Sequence, residues 1–138
     1  MTDTYTITDS AAAINVVGTL TGVNVIGSGT NTVTFQATDP NDIDSLVFQM
    51  VDGTDSVTVS SLNDPLNILG AGATVTLNGP NAAANWSITG SGSGQMTGAG
   101  ALVSFSGIST VVGGTSTDTF DTADGSSITV NGGGGTNS

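Results

Sequence analysis

Any chemistry in this chain has to be done by aspartate. All eleven acidic residues are Asp, and the 138 residues contain no Lys, Arg, His or Cys. The carboxylates gather in three places. "DPNDID" brings Asp39, Asn41, Asp42 and Asp44 together, "FQMVDGTD" holds Asp52 and Asp55, and "STDTFDTAD" holds Asp118, Asp121 and Asp124. Oxygen donors at this density are what a hard divalent cation such as Ca²⁺ takes, in shells of six to eight ligands. Asp39, Asn41, Asp42 and Asp44 are a candidate Ca²⁺ group on that ground, and Asp118, Asp121 and Asp124 form a second candidate group. The plainer reading is that these are turn residues, because Asp bonds its own backbone and tolerates unusual dihedrals.

The missing residue types exclude more than the present ones suggest. With a formal charge of −11 and no cationic side chain, no side-chain ion pair can form, and contact with nucleic acid phosphates or an anionic membrane is disfavoured. No Ser-His-Asp triad, thiol nucleophile, Schiff-base lysine or phosphate clamp can be assembled. Zinc lacks its usual nitrogen and sulfur ligands. Paired carboxylates remain as an option for glycosidic or peptide hydrolysis, but no Asp-[Ser/Thr]-Gly loop occurs in the sequence. The expectation is a protein that is not an enzyme.

The elements that would position these carboxylates are short strands. Apolar runs such as "SLVFQMV" (45–51), "DSVTV" (55–59), "LNIL" (66–69), "ATVTL" (73–77), "NWSIT" (85–89), "ALVSF" (101–105) and "ISTVV" (108–112) are four to seven residues long. Many alternate with period 2 and most are bounded by Gly, Asn, Asp, Pro or Ser, which is the pattern of strands and turns. No capped helical period appears beyond a possible turn in "DSAAAI" (9–14). A hydrophobic content of 36 % argues against a disordered linker despite 21 glycines. The fold class is all-β, one domain over 1–138. Phrases of the type Gly-x-[Asp/Asn]-x-apolar, at "GTNTV", "GTDSV" and, with Ser first, "STDTF", suggest a period near 20 and a β-solenoid or β-roll-like stack of strands, with a β-sandwich as the alternative.

"GGTSTDTFD" (113–121) resembles the Gly-Gly-x-Gly-x-Asp-x-apolar-x nonapeptide of calcium-binding β-rolls of the repeat-in-toxin type, with Ser116 at a glycine position. More broadly, residues 85–137, and "LNDPLNILGAGATVTLNGPNAAANWSITG" before them, are similar to repeat segments of giant secreted bacterial surface proteins of hemagglutinin-like or β-roll architecture. The resemblance implies an extracellular fibrous or adhesive role, calcium as the ion, and export without a cleaved leader. A cell-surface or extracellular location is expected on that ground. No apolar run approaches the ~20 residues that span a bilayer, so membrane insertion is not expected.

Two partial motifs suggest a partner. "GGGGTN" (132–137) supplies a glycine turn with no strand after it, and Asp3 to Ile7 supply a strand with no glycine turn before it. Placed end to end, they read as one turn-and-strand unit. Unpaired strand edges are templates for another chain, and a head-to-tail contact that does not close propagates. The expected partner is a second copy of the chain in a homopolymer, an extracellular filament, sheath or biofilm matrix fibre that other matrix components can join. A calcium-dependent adhesin or an ice-binding module is the alternative. Threonine ladders such as "TYTIT" and "TVT" raise ice binding, and their uneven spacing in sequence argues against a register-matched array. Trp86, Phe35, Phe48, Phe105 and Phe120 are expected in the core, with Met50 and Met96 as gap-fillers.

Overall fold

The computed structural model describes residues 4–9, 14–16, 22–23, 31–33, 35–36, 45–50, 54–59, 62, 65–70, 72 and 74–138, with side-chain surroundings for most of those from Thr54 onward. The strands are β1 (Thr4–Asp9), β2 (Ile14–Val16), β3 (Gly22–Val23), β4 (Asn31–Val33), β5 (Phe35–Gln36), β6 (Ser45–Met50), β7 (Thr54–Thr58) and β8 (Leu66–Gly70). They continue as β9 (Thr74–Asn78), β10 (Asn85–Gly90), β11 (Ser93–Thr97), β12 (Val103–Ser106), β13 (Thr110–Val112), β14 (Thr119–Thr122) and β15 (Thr129–Asn131). The chain is all-β, with no helix among the described residues. "DSAAAI" lies largely outside them, as do the side chains of Phe35, Phe48 and Met50.

Alternation in sequence becomes alternation of faces. β9 reads Thr-Val-Thr-Leu-Asn and buries Val75 and Leu77 while its hydroxyl and amide residues face the other way. In β10, Trp86 and Ile88 are buried between exposed Asn85, Ser87 and Thr89. The buried side chains of both main sheets join in one cluster, from Val57, Val75, Leu77 and Val111 on one side to Leu66, Ile68, Trp86 and Phe105 on the other.

The first main sheet has seven strands in the order β1-β6-β8-β12-β11-β10-β14, and the second has four in the order β15-β13-β9-β7. Two-stranded ladders β2/β4 and β3/β5 complete the set. From β6 onward the chain visits the sheets in turn, β6, β8, β12 and β14 in the first being followed by β7, β9, β13 and β15 in the second. Pairing within the second sheet is parallel throughout. Leu46 pairs with Leu66 and Val57 with Leu77, both offsets of 20 residues, and Thr110 pairs with Thr129 at an offset of 19.

One interruption breaks this period. β10 and β11 form an antiparallel hairpin and β12 runs antiparallel to β11 before rejoining β8 in parallel. Thr76 consequently pairs with Thr110 across 34 residues. Three strands separate β8 from β14 in the first sheet, whereas only β13 separates β9 from β15 in the second. At about 4.8 Å per strand the first sheet is about 10 Å wider there. Large side chains occupy that stretch. Trp86 stacks on Phe120 with ring centroids 5.7 Å apart and tilts against Phe105 at 6.1 Å, and Met96 is fully buried.

β11 is the strand that the apolar pattern does not announce. Its sequence Ser-Gly-Gln-Met-Thr offers one large apolar residue, because Gly94 occupies the second inward position. A Cβ there would stand 2.3 Å from the Ser87 carbonyl oxygen and 2.8 Å from the Phe105 ring. Crowding, not propensity, selects the residue.

Candidate functional site: stacked turns and an open sheet edge

Three six-residue turns lead from the second sheet back to the first: 79–84 (Gly-Pro-Asn-Ala-Ala-Ala), 113–118 (Gly-Gly-Thr-Ser-Thr-Asp) and 132–137 (Gly-Gly-Gly-Gly-Thr-Asn). They lie rung upon rung. Gly79 N–H donates to the Val112 carbonyl, Gly113 N–H to Asn131 and Gly134 N–H to Gly114, all at 2.8 Å. Ser116 Oγ donates to the Asn81 carbonyl at 2.7 Å. Glycine allows this backbone-on-backbone contact: a Cβ at Gly114 would fall 1.8 Å from the Pro80 carbonyl oxygen.

The last residue of each turn carries the polar link between rungs. Asp118 is fully buried, and its Oδ1 accepts from the Ala84 N–H at 2.9 Å. Asp118 N–H donates to Asn137 Oδ1 at 2.8 Å, repeating the same bond one rung further. Asn137 also uses its amide, which donates to the carbonyls of Gly132 (2.7 Å) and Gly134 (2.9 Å). Asp118 has no N–H to offer in that position, and its Oδ2 is buried without a partner, as is Nε1 of Trp86.

The residues of the first expected calcium site, Asp118, Asp121 and Asp124, take three different positions. Asp118 stands before β14, Asp121 is exposed within it, and Asp124 is exposed beyond it. Among the described residues no three acidic side chains converge on a common point. Asp39, Asn41, Asp42 and Asp44, the other expected site, lie outside the described residues, as does Asp52.

The phrase Gly-x-[Asp/Asn]-x-apolar merges two different positions. Asn31 opens β4 and Asp55 sits inside β7, whereas Asp118 precedes β14. A different phrase marks the rungs of the first sheet. Asp-[Ser/Thr/Pro]-[large apolar] occurs at 3–5, 44–46, 64–66 and 118–120, ending in Tyr5, Leu46, Leu66 and Phe120. Tyr5 pairs with Leu46, and Leu46 with Leu66. That signal was present in the sequence, hidden by the more conspicuous glycines.

The open edge is the second feature. On its outer side β15 has no strand among the described residues, and its Val130, in register with buried Val111, is 39 % exposed. Phe120 and Ile128 in the same terminal layer are half-buried. Ser138 begins a further rung on β14: its N–H donates to the Asp118 carbonyl at 3.0 Å and its carbonyl accepts from Phe120 N–H at 2.7 Å. No family model matches the chain, and no curated protein or solved structure is significantly similar to it.

Proposed function

We propose that the chain is a β-solenoid subunit that assembles head to tail into an extracellular filament or matrix fibre. The observation carrying this reading is the edge at β15, which no strand covers among the described residues and where exposed Val130 joins the half-buried Phe120 and Ile128. Such an edge is a template for a parallel strand, and β1 supplies one with the same Thr-aromatic start, Thr4-Tyr5 against Thr119-Phe120. The solenoid reading is supported by strands that alternate between sheets and pair in parallel about 20 residues apart. A hairpin-built sandwich would pair sequence neighbours in antiparallel fashion.

A fibre outside the cell suits the composition. The chain has no Lys or Arg and therefore no trypsin site, and extracellular salt screens its carboxylates. Negative-stain electron microscopy of the purified chain tests the reading. Uniform filaments are expected, lost on Val130→Asp and on deletion of residues 1–8. Monodisperse particles at high concentration, with or without calcium, would reject it in favour of a monomeric binding module such as a calcium-dependent adhesin.

A further inference from the structure

Asparagine is followed by glycine at two places, Asn78-Gly79 at the end of β9 and Asn131-Gly132 at the end of β15. Both asparagines pair with Val112 of β13, one from each side, so the two dipeptides are equivalent by register and differ in what surrounds them. Asn78-Gly79 is pinned on both sides. The Asn78 carbonyl accepts from Val59 N–H at 2.9 Å and Gly79 N–H donates to the Val112 carbonyl at 2.8 Å, while Asn78 Nδ2 donates to Ser56 Oγ at 2.9 Å. At Asn131-Gly132 only the inner side is held, by Gly113 N–H donating to the Asn131 carbonyl at 2.8 Å. A trans peptide points its N–H away from its carbonyl, so Gly132 N–H faces the open edge, where it has no acceptor among the described residues.

We infer that Asn131 is a site of spontaneous deamidation, which converts its amide to a carboxylate at the sheet edge. The Gly132 nitrogen, giving its proton to solvent hydroxide, attacks Cγ of Asn131. The bond from Cγ to Nδ2 breaks, ammonia leaves with a proton from water, and a five-membered imide closes. Water opens the imide at either carbonyl and leaves aspartate or isoaspartate at 131, so the net change is amide plus water to acid plus ammonia. Three features favour this residue. Asn131 is exposed to the water that the reaction consumes. Gly132 has no Cβ to shield its nitrogen. Gly133 N–H donates to Asn131 Oδ1 at 3.0 Å, where it draws electrons from Cγ and stabilises the oxyanion formed on attack. Isoaspartate adds a methylene to the main chain where β15 enters the 132–137 turn, and so displaces the Gly132 carbonyl from the Asn137 amide that donates to it at 2.7 Å. The inference does not rest on filament formation.

The test is incubation of the full chain at mildly alkaline pH, with peptide mass spectrometry scoring amide loss at 131 and at 78. Val130→Asp, which blocks stacking if subunits join at this edge, is run beside it. Loss at Asn131 should be about tenfold faster than at Asn78, where reaction has to wait for local opening of β9. In urea the two rates should converge, and Asn131→Gln should remove the product at 131, because its longer side chain would have to close a larger ring. Equal rates in the native chain, or a native ratio that persists in urea, would overturn the inference. So would an intact Asn131 in both the full chain and Val130→Asp, whereas reaction in Val130→Asp alone supports it and shows the edge covered in the parent.

Discussion

Asp118 and Asn137 occupy the same place in successive turns, and the N–H of Asp118 donates to Oδ1 of Asn137 at 2.8 Å. The two side chains are matched on one oxygen and differ at the other atom. Asn137 donates through Nδ2 to two carbonyls of its own turn, whereas Oδ2 of Asp118 is buried beside Gly113 with no donor. The rung built on asparagine is therefore the better satisfied of the two.

Asp118→Asn should stabilise the protein. The variant keeps the Oδ1 acceptor for Ala84 N–H and places an amide among the carbonyls of the 113–118 turn, as Asn137 does in its own turn. Replacing an unpartnered buried oxygen with a hydrogen-bonded amide is worth about 1–2 kcal/mol, or roughly 3–6 °C in Tm for a domain of this size. Asp118→Ala should do the reverse by orphaning Ala84 N–H. Thermal melts of both variants in chelator decide the matter: a lower Tm for Asp118→Asn would mean that Oδ2 accepts from a donor that the amide cannot replace.

Asp118 turns its Oδ1 to the Ala84 N–H, whereas Asp121 within β14 and Asp124 beyond it are exposed. An Asp121→Asn/Asp124→Asn double variant should therefore show the same change in Tm on adding calcium as the parent chain. Differential scanning fluorimetry with calcium and with excess chelator measures it. A calcium-induced shift that disappears in the double variant would show that these two exposed carboxylates do bind the ion.

The first sheet's strands are legible from their apolar alternation, which is why β6, β8, β10 and β12 fall on runs such as "SLVFQMV" and "NWSIT". What the pattern does not reveal has a physical cause in each case. β11 is hidden because Gly94 replaces a core side chain under the Phe105 ring, and the period is hidden because the hairpin lengthens one offset from 20 to 34 residues. The backbone-capping role of Asp118 is hidden because buried capping carboxylates and metal-binding carboxylates share the same turn chemistry. The rung partner that distinguishes them, Ala84 N–H, lies 34 residues away.

Salt should raise stability without an optimum over the screening range. With eleven Asp and no cationic side chain, every interaction between side-chain charges is repulsive. Raising ionic strength from ~0.01 M to ~0.15 M shortens the Debye length from ~30 Å to ~8 Å, which relieves repulsion and removes no attractive side-chain pair. Tm is expected to climb steadily with sodium chloride, and equally with potassium chloride, because screening is indifferent to which monovalent cation supplies it. A response confined to one cation would point to specific binding instead.

Gly79 and Trp86 test how the widened part of the first sheet is filled. A Cβ at Gly79 would stand 2.6 Å from Cζ2 of Trp86, a ring that is 1 % exposed and held in place by its stack on Phe120. Gly79→Ala must push the indole aside and should cost about 1–3 kcal/mol. Trp86→Phe is smaller and removes the unpartnered Nε1 donor, so its cavity cost is partly offset. If the clash is the cause, Gly79→Ala should cost about 1 kcal/mol less in the Trp86→Phe background than alone. Chemical denaturation of the four proteins in the cycle measures the coupling; strict additivity would assign the requirement for glycine at 79 to its backbone and not to the tryptophan above it.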